Sequence, residues 1–340
     1  MLMIIAHHYV LHSGVTDLYS MKSPTSNQIF LELWGWGGKV GINCFLLITG
    51  YFMCKQDFTW RKFLKLYLEI KFFTLLLPVI FCAIGKQEVT FKYCFHHLFW
   101  VATCMGRTFT PSFLALFVLI PFINRLINAL DQKSHLRLIL ISLCIYSITD
   151  SVFFNFFYEF IAWYIIVYLI GSYLRLYSFY GFCGNLKKSS WLAVIVLLLT
   201  FASILFFTYF KKDPVFSRIY IYHLVSDSNK LLAIMSAVAL FCLFRSINIG
   251  QIKLINRIAT ATFGIYLIHD QDNVRHWLWN EVFNVKEYFH TDVLWLHAIA
   301  TVLAIYVVCM IIDLLRQRFI EKPLFVWLDK KYPTLNNKVK

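Results

Sequence analysis

Long apolar segments recur along almost the whole chain, and only short polar stretches separate them. We distinguish ten, at residues 1–11, 34–53, 63–84, 112–129, 136–153, 159–177, 191–210, 230–247, 258–278 and 293–315. Most approach the roughly 20 residues that an α-helix needs to cross a bilayer. Residues 93–105 fit an interfacial or re-entrant piece. Because backbone groups in lipid must be hydrogen-bonded internally, we predict an all-α, polytopic bundle of about ten transmembrane helices.

The composition excludes an ordinary soluble domain. Hydrophobic residues make up 59% of the 340-residue chain, and charged residues make up only 15%, whereas soluble domains average about 25% charged residues. The net charge of +14 does not indicate a nucleic-acid partner, because no Lys/Arg stripe stands apart from the apolar segments. The nine cysteines include no Cys-x-x-Cys pair, so neither a disulfide framework nor a metal site is predicted. The expected partner of the apolar surface is the lipid bilayer.

Lysine and arginine residues indicate the orientation in the membrane. With ten spans, both chain ends lie on one side, and the loops and tail on that side hold more Lys and Arg than the opposite loops. Cytoplasmic loops carry this excess, so we expect a plasma-membrane protein with both termini in the cytoplasm. We expect one membrane domain over residues 1–325 and a short basic cytoplasmic tail over residues 326–340.

The first apolar segment is too short for a complete span. Residues 1–11 rise only about 16 Å as a helix, against a hydrocarbon core about 30 Å thick. The segment has no charged start and no small-residue cleavage site, so it does not match a signal peptide. We expect a truncated first helix, with this chain starting inside a longer natural one.

Three histidines lie in or next to this segment, MLMIIAHHYVLHS: His7, His8 and His12. An imidazole at membrane depth loses its water shell, so it needs a polar partner or a chemical role. On a helix, His8 and His12 lie one turn apart on one face, while His7 points about 100° away. Two interpretations are open: interfacial histidines bonded to carbonyl groups, or histidines that move protons in acid–base chemistry.

Two further segments place polar side chains within the predicted bundle. Lys39 and Asn43 lie in the glycine-rich stretch WGWGGKVGINCFLLITGYFMC, where Asn43 offers hydrogen bonds to neighbouring helices. Lys39 either extends its charge to the interface or neutralises an anionic group such as a phosphate. Tyr266 and His269 lie three residues apart in ATFGIYLIHDQD and share a helix face. His269, beside two acids, is a second candidate titratable group.

A basic amphipathic stretch, WRKFLKLYLEIK, leads into the third apolar segment. Its Arg61, Lys62 and Lys65 either meet acidic lipid headgroups and set the topology, or bind a polyphosphate ligand from the cytoplasm. The residues alone leave both interpretations open.

Six segments in order resemble the acyltransferase 3 family of bacterial integral membrane O-acyltransferases, over nearly the whole chain. They are MLMIIAHHYVLHS, GKVGINCFLLITGYFM, PSFLALFVLIPFINRLI, AWYIIVYLIGSYLRLY, TFGIYLIH and RFIEKPLF. Each is short and apolar, but the ordered set is specific. The family's first helix carries a basic residue well before a histidine. His8 matches that histidine, whereas the basic residue would precede Met1.

The resemblance implies an enzyme that moves an acyl group, commonly acetyl, from acyl-CoA to a hydroxyl of a cell-surface polysaccharide or its lipid-linked sugar precursor. It implies acyl-CoA as donor substrate and no permanently bound cofactor. A neutral imidazole could then deprotonate the acceptor hydroxyl or position the donor. The expected sites are His8 as catalytic residue, Lys39, Asn43, Tyr266 and His269 for substrate, and Arg61, Lys62 and Lys65 for the CoA phosphates.

Two other functions stay open. A multi-pass transporter or flippase for a glycan or lipid also has many spans and buried ionisable residues, although the sequence shows no paired halves. A membrane anchor for a biosynthetic complex is the third reading, and it predicts that point changes at these residues have no effect.

Overall fold

The fold comes from a computed structural model, which describes residues 1–20, 23–153, 159–177, 181, 183–210 and 221–337. Over these ranges the chain is helical and contains no β-strand. The helices are α1 Leu2–Leu11, α2 Ser26–Trp34, α3 Gly38–Met53, α4 Trp60–Ala83, α5 Phe91–Leu98, α6 Trp100–Thr103, α7 Phe109–Ala129, α8 Gln132–Leu143, α9 Thr149–Val152, α10 Phe160–Tyr177, α11 Leu186–Phe210, α12 Leu231–Ser246, α13 Lys253–Thr260, α14 Thr262–His269, α15 Asp272–Trp277, α16 Val285–Tyr288, α17 Leu294–Arg316 and α18 Lys322–Lys331. A π-helical turn, Cys144–Ile148, joins α8 to α9, and another, Gln317–Glu321, joins α17 to α18.

Polar side chains mark where several of these helices begin. Thr25, Thr59, Thr90 and Asp131 each accept a hydrogen bond from the backbone N–H three residues later, at 2.9–3.3 Å. Such caps satisfy donors that the first helical turn leaves without a partner. Helices α2, α4, α5 and α8 therefore start directly after a capping residue.

Six helices are long and apolar enough to cross a membrane: Trp60–Ala83, Phe109–Ala129, Gln132–Val152, Phe160–Tyr177, Leu186–Phe210 and Leu294–Lys331. Two shorter apolar helices are Leu2–Leu11 and Leu231–Ser246. The helical membrane bundle predicted from the sequence is thereby confirmed. Helices α3 and α14, with 16 and 8 residues, lie in the two remaining apolar segments, and the number of ten spans stays a prediction.

The ninth apolar segment, residues 258–278, differs from the prediction of a single span. It is divided among α13, α14 and α15. Gln271 turns the chain, because its Oε1 accepts hydrogen bonds from two backbone N–H groups in the first turn of α15, at 2.9 and 3.0 Å. The break places His269 and Asp270 at the end of a short helix, inside the bundle.

Helix α1 lies within the bundle, where it contacts α3 and α17. Ile5 and Tyr9 on α1 are fully buried. Two glycines of α3 make room for it, since a side-chain carbon at Gly38 would overlap the ring of His7. A side-chain carbon at Gly41 would lie 2.7 Å from Ile4. The glycine-rich stretch thus lets the two helix backbones approach closely, as the sequence indicated.

Helices α3 and α10 also meet through glycines. A side-chain carbon at Gly171 would lie 2.5 Å from the backbone oxygen of Leu47, and one at Gly50 would overlap the backbone oxygen of Tyr168. Neither backbone atom can move aside without displacing its helix. This contact fixes the separation of the two helices that carry Asn43 and Trp163.

We expect Gly50→Ala to lower the free energy of unfolding by about 1–3 kcal/mol, because the added methyl group overpacks this contact. Thermal unfolding of the purified protein in detergent measures the change. The matched control is Ile48→Ala on the same helix, where the side chain is 47% exposed and the expected change is within about 0.5 kcal/mol. Equal stability of Gly50→Ala and the unsubstituted protein would contradict the close contact.

One arginine and three carboxylates form a buried group where α4, α17 and α18 meet, which we call the Arg316 cluster. Arg316 Nε lies 2.7 Å from Asp313 Oδ1, and its two Nη atoms lie 2.9 Å from Glu321 and 3.1 Å from Glu69. Lys65 Nζ lies 2.7 Å from the other oxygen of Glu321. The guanidinium therefore forms hydrogen bonds to Asp313 and Glu321, whereas its contact with Glu69 is an ion pair without hydrogen-bond geometry.

The Arg316 cluster also touches α14. A side-chain carbon at Gly264 would overlap the carboxyl group of Asp313. Only a residue without a side chain lets α14 lie this close to α17, and this contact positions the helix that ends at His269.

Candidate active site

Two histidines from opposite ends of the chain meet inside the bundle. His8 Nδ1 on α1 lies 3.1 Å from His269 Nε2 on α14, and both side chains are buried. His269 Nδ1 lies 2.6 Å from the backbone carbonyl of Ile265, one turn earlier in the same helix. The two predicted site residues are therefore direct hydrogen-bond partners.

The hydrogen positions on the two neutral rings follow from these contacts. A carbonyl oxygen only accepts, so His269 Nδ1 carries a hydrogen and donates it to Ile265. His269 then has its lone pair on Nε2, so His8 Nδ1 donates to it. The lone pair of His8 is left on Nε2, and no residue in the described ranges donates a hydrogen bond to that atom. The arrangement orients a basic nitrogen.

A carboxylate lies beside the histidine pair. Asp270 Oδ1 lies 3.5 Å from His8 Nδ1 and 3.8 Å from His12 Nε2. Arg275 holds this carboxyl group, because its guanidinium lies 3.0 Å from Oδ1 and 2.7 Å from the backbone oxygen of Asp270. A negative charge at this position stabilises positive charge that develops on His8, since charges interact strongly away from bulk water.

His7 does not join this group. Its Nδ1 lies 2.6 Å from the backbone carbonyl of Gly35. The first of the two interpretations, a histidine bonded to a carbonyl group, therefore describes His7, whereas His8 and His12 face Asp270.

A cavity of about 210 Å³ lies beside the histidine pair. Its lining residues are Thr74, His96, His97, Trp100, Cys104, Thr108, Thr110, Tyr266, Leu267, Asp270, Gln271, Asp272 and Arg275. Asp270 belongs both to the cavity wall and to the histidine group. Tyr266 connects them as well, since its ring centroid lies 6.0 Å from that of His269.

Polar groups in and near this cavity include histidines whose pKa is lowered, His97 in its wall and His12 beside Asp270. Burial lowers the pKa of His97, and the neighbouring His96 adds to the effect. Burial, reinforced by the positive charge of Arg275, lowers the pKa of His12 at the end of α1 to about 3. Gln271 Nε2 is buried, and no group in the described part of the chain accepts a hydrogen bond from it. The site therefore combines neutral donors and acceptors with one guanidinium, Arg275, and its two carboxylate partners, Asp270 and Asp272.

Comparison with known protein families decides the identity of this chain. A family model described as an acyltransferase domain matches residues 1–314 of the 340-residue chain. The chain belongs to the acyltransferase 3 family. The resemblance noted in the sequence is confirmed, and the protein is an acyltransferase. Comparison with curated proteins gives no match, and comparison with solved structures gives none either.

Two predicted substrate-binding residues of the acyltransferase already have partners away from the histidine pair. Lys39 Nζ lies 3.8 Å from the carboxylate of Asp227. Asn43 Nδ2 donates to the backbone oxygen of Ser228 at 2.7 Å, and Trp163 Nε1 donates to Asn43 Oδ1 at 3.1 Å. Neither Lys39 nor Asn43 lines the cavity at Asp270. Asn43 instead connects α3 and α10 with the residues that precede α12.

We expect Asn43→Ala to lower the free energy of unfolding by about 1–3 kcal/mol, because the buried Trp163 indole N–H loses its acceptor. Thermal unfolding in detergent measures this loss. The double variant Asn43→Ala/Trp163→Phe removes the orphaned donor, so its stability loss should be smaller than the sum of the single losses. A raised KM for the acyl acceptor with unchanged stability would instead indicate contact with substrate.

The three basic residues predicted to bind CoA phosphates lie together at the start of α4. Arg61 binds the carboxylate of Asp329 through two nitrogens, at 2.8 and 2.9 Å. Lys65 pairs with Glu321 at 2.7 Å. Lys62 Nζ donates to the side-chain oxygen of Gln56 at 3.1 Å and to the backbone oxygen of Asp57 at 2.9 Å, both just before α4. Carboxylates of the acyltransferase itself therefore neutralise two of the three positive charges.

The first residues of the predicted tail are part of the folded structure. Residues 326–331 continue α18, and Asp329 on this helix is the partner of Arg61. Arg61, Lys65 and Lys322 together line a cavity of about 190 Å³. This basic cavity lies on the α4–α18 side of the bundle.

The sequence named Tyr266 as a site residue but not most of the other residues that line the cavity, among them Trp100, Gln271 and Arg275. Trp100 lies in the 93–105 stretch, whose two short helices face the cavity. Gln271 follows the His269–Asp270 pair directly, and Arg275 lies five residues after Asp270. The acid-rich sequence HDQD was the available signal, because a carboxylate at membrane depth needs a basic partner nearby.

Proposed function

We propose that this acyltransferase moves an acyl group, commonly acetyl, from acyl-CoA to a hydroxyl group of a cell-surface polysaccharide or its lipid-linked sugar precursor. The observation that carries the proposal is the hydrogen-bond chain from the Ile265 carbonyl through His269 to His8, which leaves a lone pair on His8 Nε2. A general base needs a basic nitrogen held in one orientation.

The reaction proceeds by direct transfer. His8 Nε2 takes the proton of the acceptor hydroxyl while the hydroxyl oxygen attacks the thioester carbonyl carbon. The carbon–sulfur bond then breaks, and the departing thiolate takes the proton from the His8 imidazolium to give free CoA. Asp270, at 3.5 Å from His8 Nδ1, stabilises the imidazolium between these steps.

Tyr266 is the best-placed of the predicted groups for the developing oxyanion. It lines the cavity, whereas Lys39 and Asn43 do not. Arg275 also lines the cavity and supplies positive charge within it. Donors that are fixed before the reaction stabilise the tetrahedral intermediate without reorganising.

Helix α4 offers a connection between the basic residues and the cavity. Arg61 lies near its start, and Thr74, thirteen residues later, lines the cavity. Thirteen residues of α-helix rise about 20 Å. We infer that the CoA phosphates bind at Arg61, Lys62 and Lys65 on the cytoplasmic side and that the acyl end extends along α4. The ion pairs of Asp329 with Arg61 and of Glu321 with Lys65 must open when the phosphates bind.

The acceptor hydroxyl enters the cavity from the opposite side of the membrane. Trp100 offers an aromatic face and Gln271 an unused N–H donor, and both suit a sugar. The cavity thus gives the acceptor a place next to Asp270 and Tyr266. We also propose the plasma membrane as location, with both termini in the cytoplasm, which the excess of Lys and Arg in the loops and tail on that side supports.

The test supplies labelled acyl-CoA to membranes from cells that make the protein and from cells that lack it. We expect label in the glycan fraction only when the protein is present. Mass analysis of surface glycans from the two cell types identifies the acyl group and its position. Glycans that are exported normally but lack the acyl group support the enzyme. Loss of glycan export with an unchanged acyl content would support the transporter instead.

A further inference from the structure

We propose that His8, His12 and Asp270 form a binding site for Zn²⁺, and that the bound ion blocks acyl transfer. This departs from the sequence, in which the cysteine spacing predicts no metal site. The proposal that the site binds a metal depends only on the positions of these three side chains. The blocking effect rests on the proposed function of His8 as general base.

The three side chains converge on one point. One ligand atom from each, two imidazole nitrogens and a carboxylate oxygen, lies within 4.8 Å of the other two. Asp270 Oδ1 lies 3.5 Å from His8 Nδ1 and 3.8 Å from His12 Nε2. In a tetrahedral zinc site with bonds of about 2.0–2.2 Å, the ligand atoms are about 3.3–3.5 Å apart. Small side-chain rotations therefore bring the three atoms to coordinating distance.

A fourth nitrogen lies next to His8, although His269 is outside the group whose ligand atoms lie within 4.8 Å of one another. His269 Nε2 has its lone pair directed at His8 Nδ1, 3.1 Å away, because its other nitrogen donates to the Ile265 carbonyl. A histidine that ligates a metal usually donates its second N–H to a carbonyl or carboxylate. The ion would replace the hydrogen shared between His8 and His269.

The donor set selects the class of ion. Imidazole nitrogen with one carboxylate oxygen suits Zn²⁺ and other transition metals, whereas Mg²⁺ and Ca²⁺ prefer oxygen ligands. Arg275 donates to the same Asp270 oxygen that faces the two histidines, through Nε at 3.1 Å and Nη2 at 3.0 Å, so an ion must share Oδ1 with the guanidinium or displace it. The guanidinium of Arg275, 3.0 Å from Asp270, repels a cation. We therefore expect an exchangeable ion, which enters from the cavity that Asp270 lines.

Metal binding removes the base without changing the protonation state of the ring. When Nδ1 of His8 binds the ion, the single hydrogen of the neutral imidazole moves to Nε2. No lone pair is then left on Nε2 to accept the proton of the acceptor hydroxyl. Zinc and acyl transfer are therefore mutually exclusive at His8.

The binding experiment uses the purified full-length protein in detergent, dialysed to equilibrium against Zn²⁺. We expect one more bound ion per chain in the unsubstituted protein than in His12→Ala or His12→Gln. His276→Ala is the matched control, because His276 is exposed and lies outside the site, and it should bind like the unsubstituted protein. Comparison between variants cancels any ions held by the nine cysteines. With Co²⁺ as a second probe, the ion lost on substitution should lack a thiolate absorption band.

Gel filtration and thermal unfolding first establish that each variant is folded. Equal zinc binding by the unsubstituted protein and by both folded His12 variants would overturn the metal site.

The activity experiment tests the blocking effect separately. We expect Zn²⁺ to lower the acyl-transfer rate by about tenfold or more, since a general base contributes about 10²–10⁴-fold. A chelator should restore the rate, and Mg²⁺ at the same concentration should not change it. Each His12 variant, compared with its own metal-free rate, should be less sensitive. An unchanged rate in protein shown to hold the ion would overturn the blocking effect. If the metal-free protein transfers no acyl group, the proposed function fails, while dialysis still decides the metal site.

Discussion

Replacing His8 with alanine is expected to lower the rate of acyl transfer by about 10²–10⁴-fold, because the acceptor hydroxyl loses its general base. The hydrogen-bond chain through His269 orients only this ring, so no other histidine of the site presents its lone pair in the same way. Membranes supplied with labelled acyl-CoA give the rate directly. The loss should appear in kcat, since His8 is proposed to act on the proton rather than to hold either substrate.

Two further variants distinguish loss of the general base from a folding defect. His8→Gln keeps nearly the size and a polar end, yet it cannot take a proton, so it should lose activity like His8→Ala. His276→Ala removes an exposed histidine and should transfer label at the unsubstituted rate. Label transfer at the unsubstituted rate by folded His8→Ala would exclude the base.

The largest effect on stability is expected for Arg316→Ala, a loss of about 3–5 kcal/mol in the free energy of unfolding. Arg316 is 6% exposed and contacts all three carboxylates of the Arg316 cluster. Without it, Asp313 keeps the neutral donor Gln317 Nε2, Glu321 keeps Lys65, and Glu69 loses its ion pair with the guanidinium. Uncompensated buried charge is costly because the protein interior screens it poorly. Thermal or denaturant unfolding in detergent measures the loss.

Arg318→Ala is the matched control for this prediction. Arg318 lies two residues further along and is exposed, so its removal should change the free energy of unfolding by no more than about 0.5 kcal/mol. Similar stability of the two variants would contradict the description of the Arg316 cluster as a buried ion network. Arg316→Lys keeps the charge but loses the planar fork, so an intermediate stability is expected.

Much of the fold was predictable because its causes are local. Apolar length determines which segments form spanning helices, and residues such as Thr59 and Asp131 begin them. The prediction that the ninth apolar segment forms a single span was wrong. Apolar residues continue past Asp270, but the side chain of Gln271 caps a new helix and turns the chain there. A hydropathy pattern averages over a whole window and does not detect one capping side chain.

The candidate site was predictable only in part. His8 and His269 were both named from their own segments, but they are 261 residues apart in sequence. Nothing local to either segment indicates that the two rings touch or which nitrogen of each carries the hydrogen. The same applies to Arg61 and Asp329, 268 residues apart. Such pairs depend on how the helices pack, which the residue pattern of one segment does not determine.

Gly264 connects the Arg316 cluster with the histidine pair, because it lies on the helix that ends at His269. Gly264 rests against the Arg316 cluster, and His269 lies five residues later on the same helix, about 7.5 Å further along. Because α14 has only eight residues, we expect it to move as one rigid unit. We therefore expect a displacement of Asp313 to shift the imidazole of His269 and, through it, the ring of His8, the proposed proton acceptor.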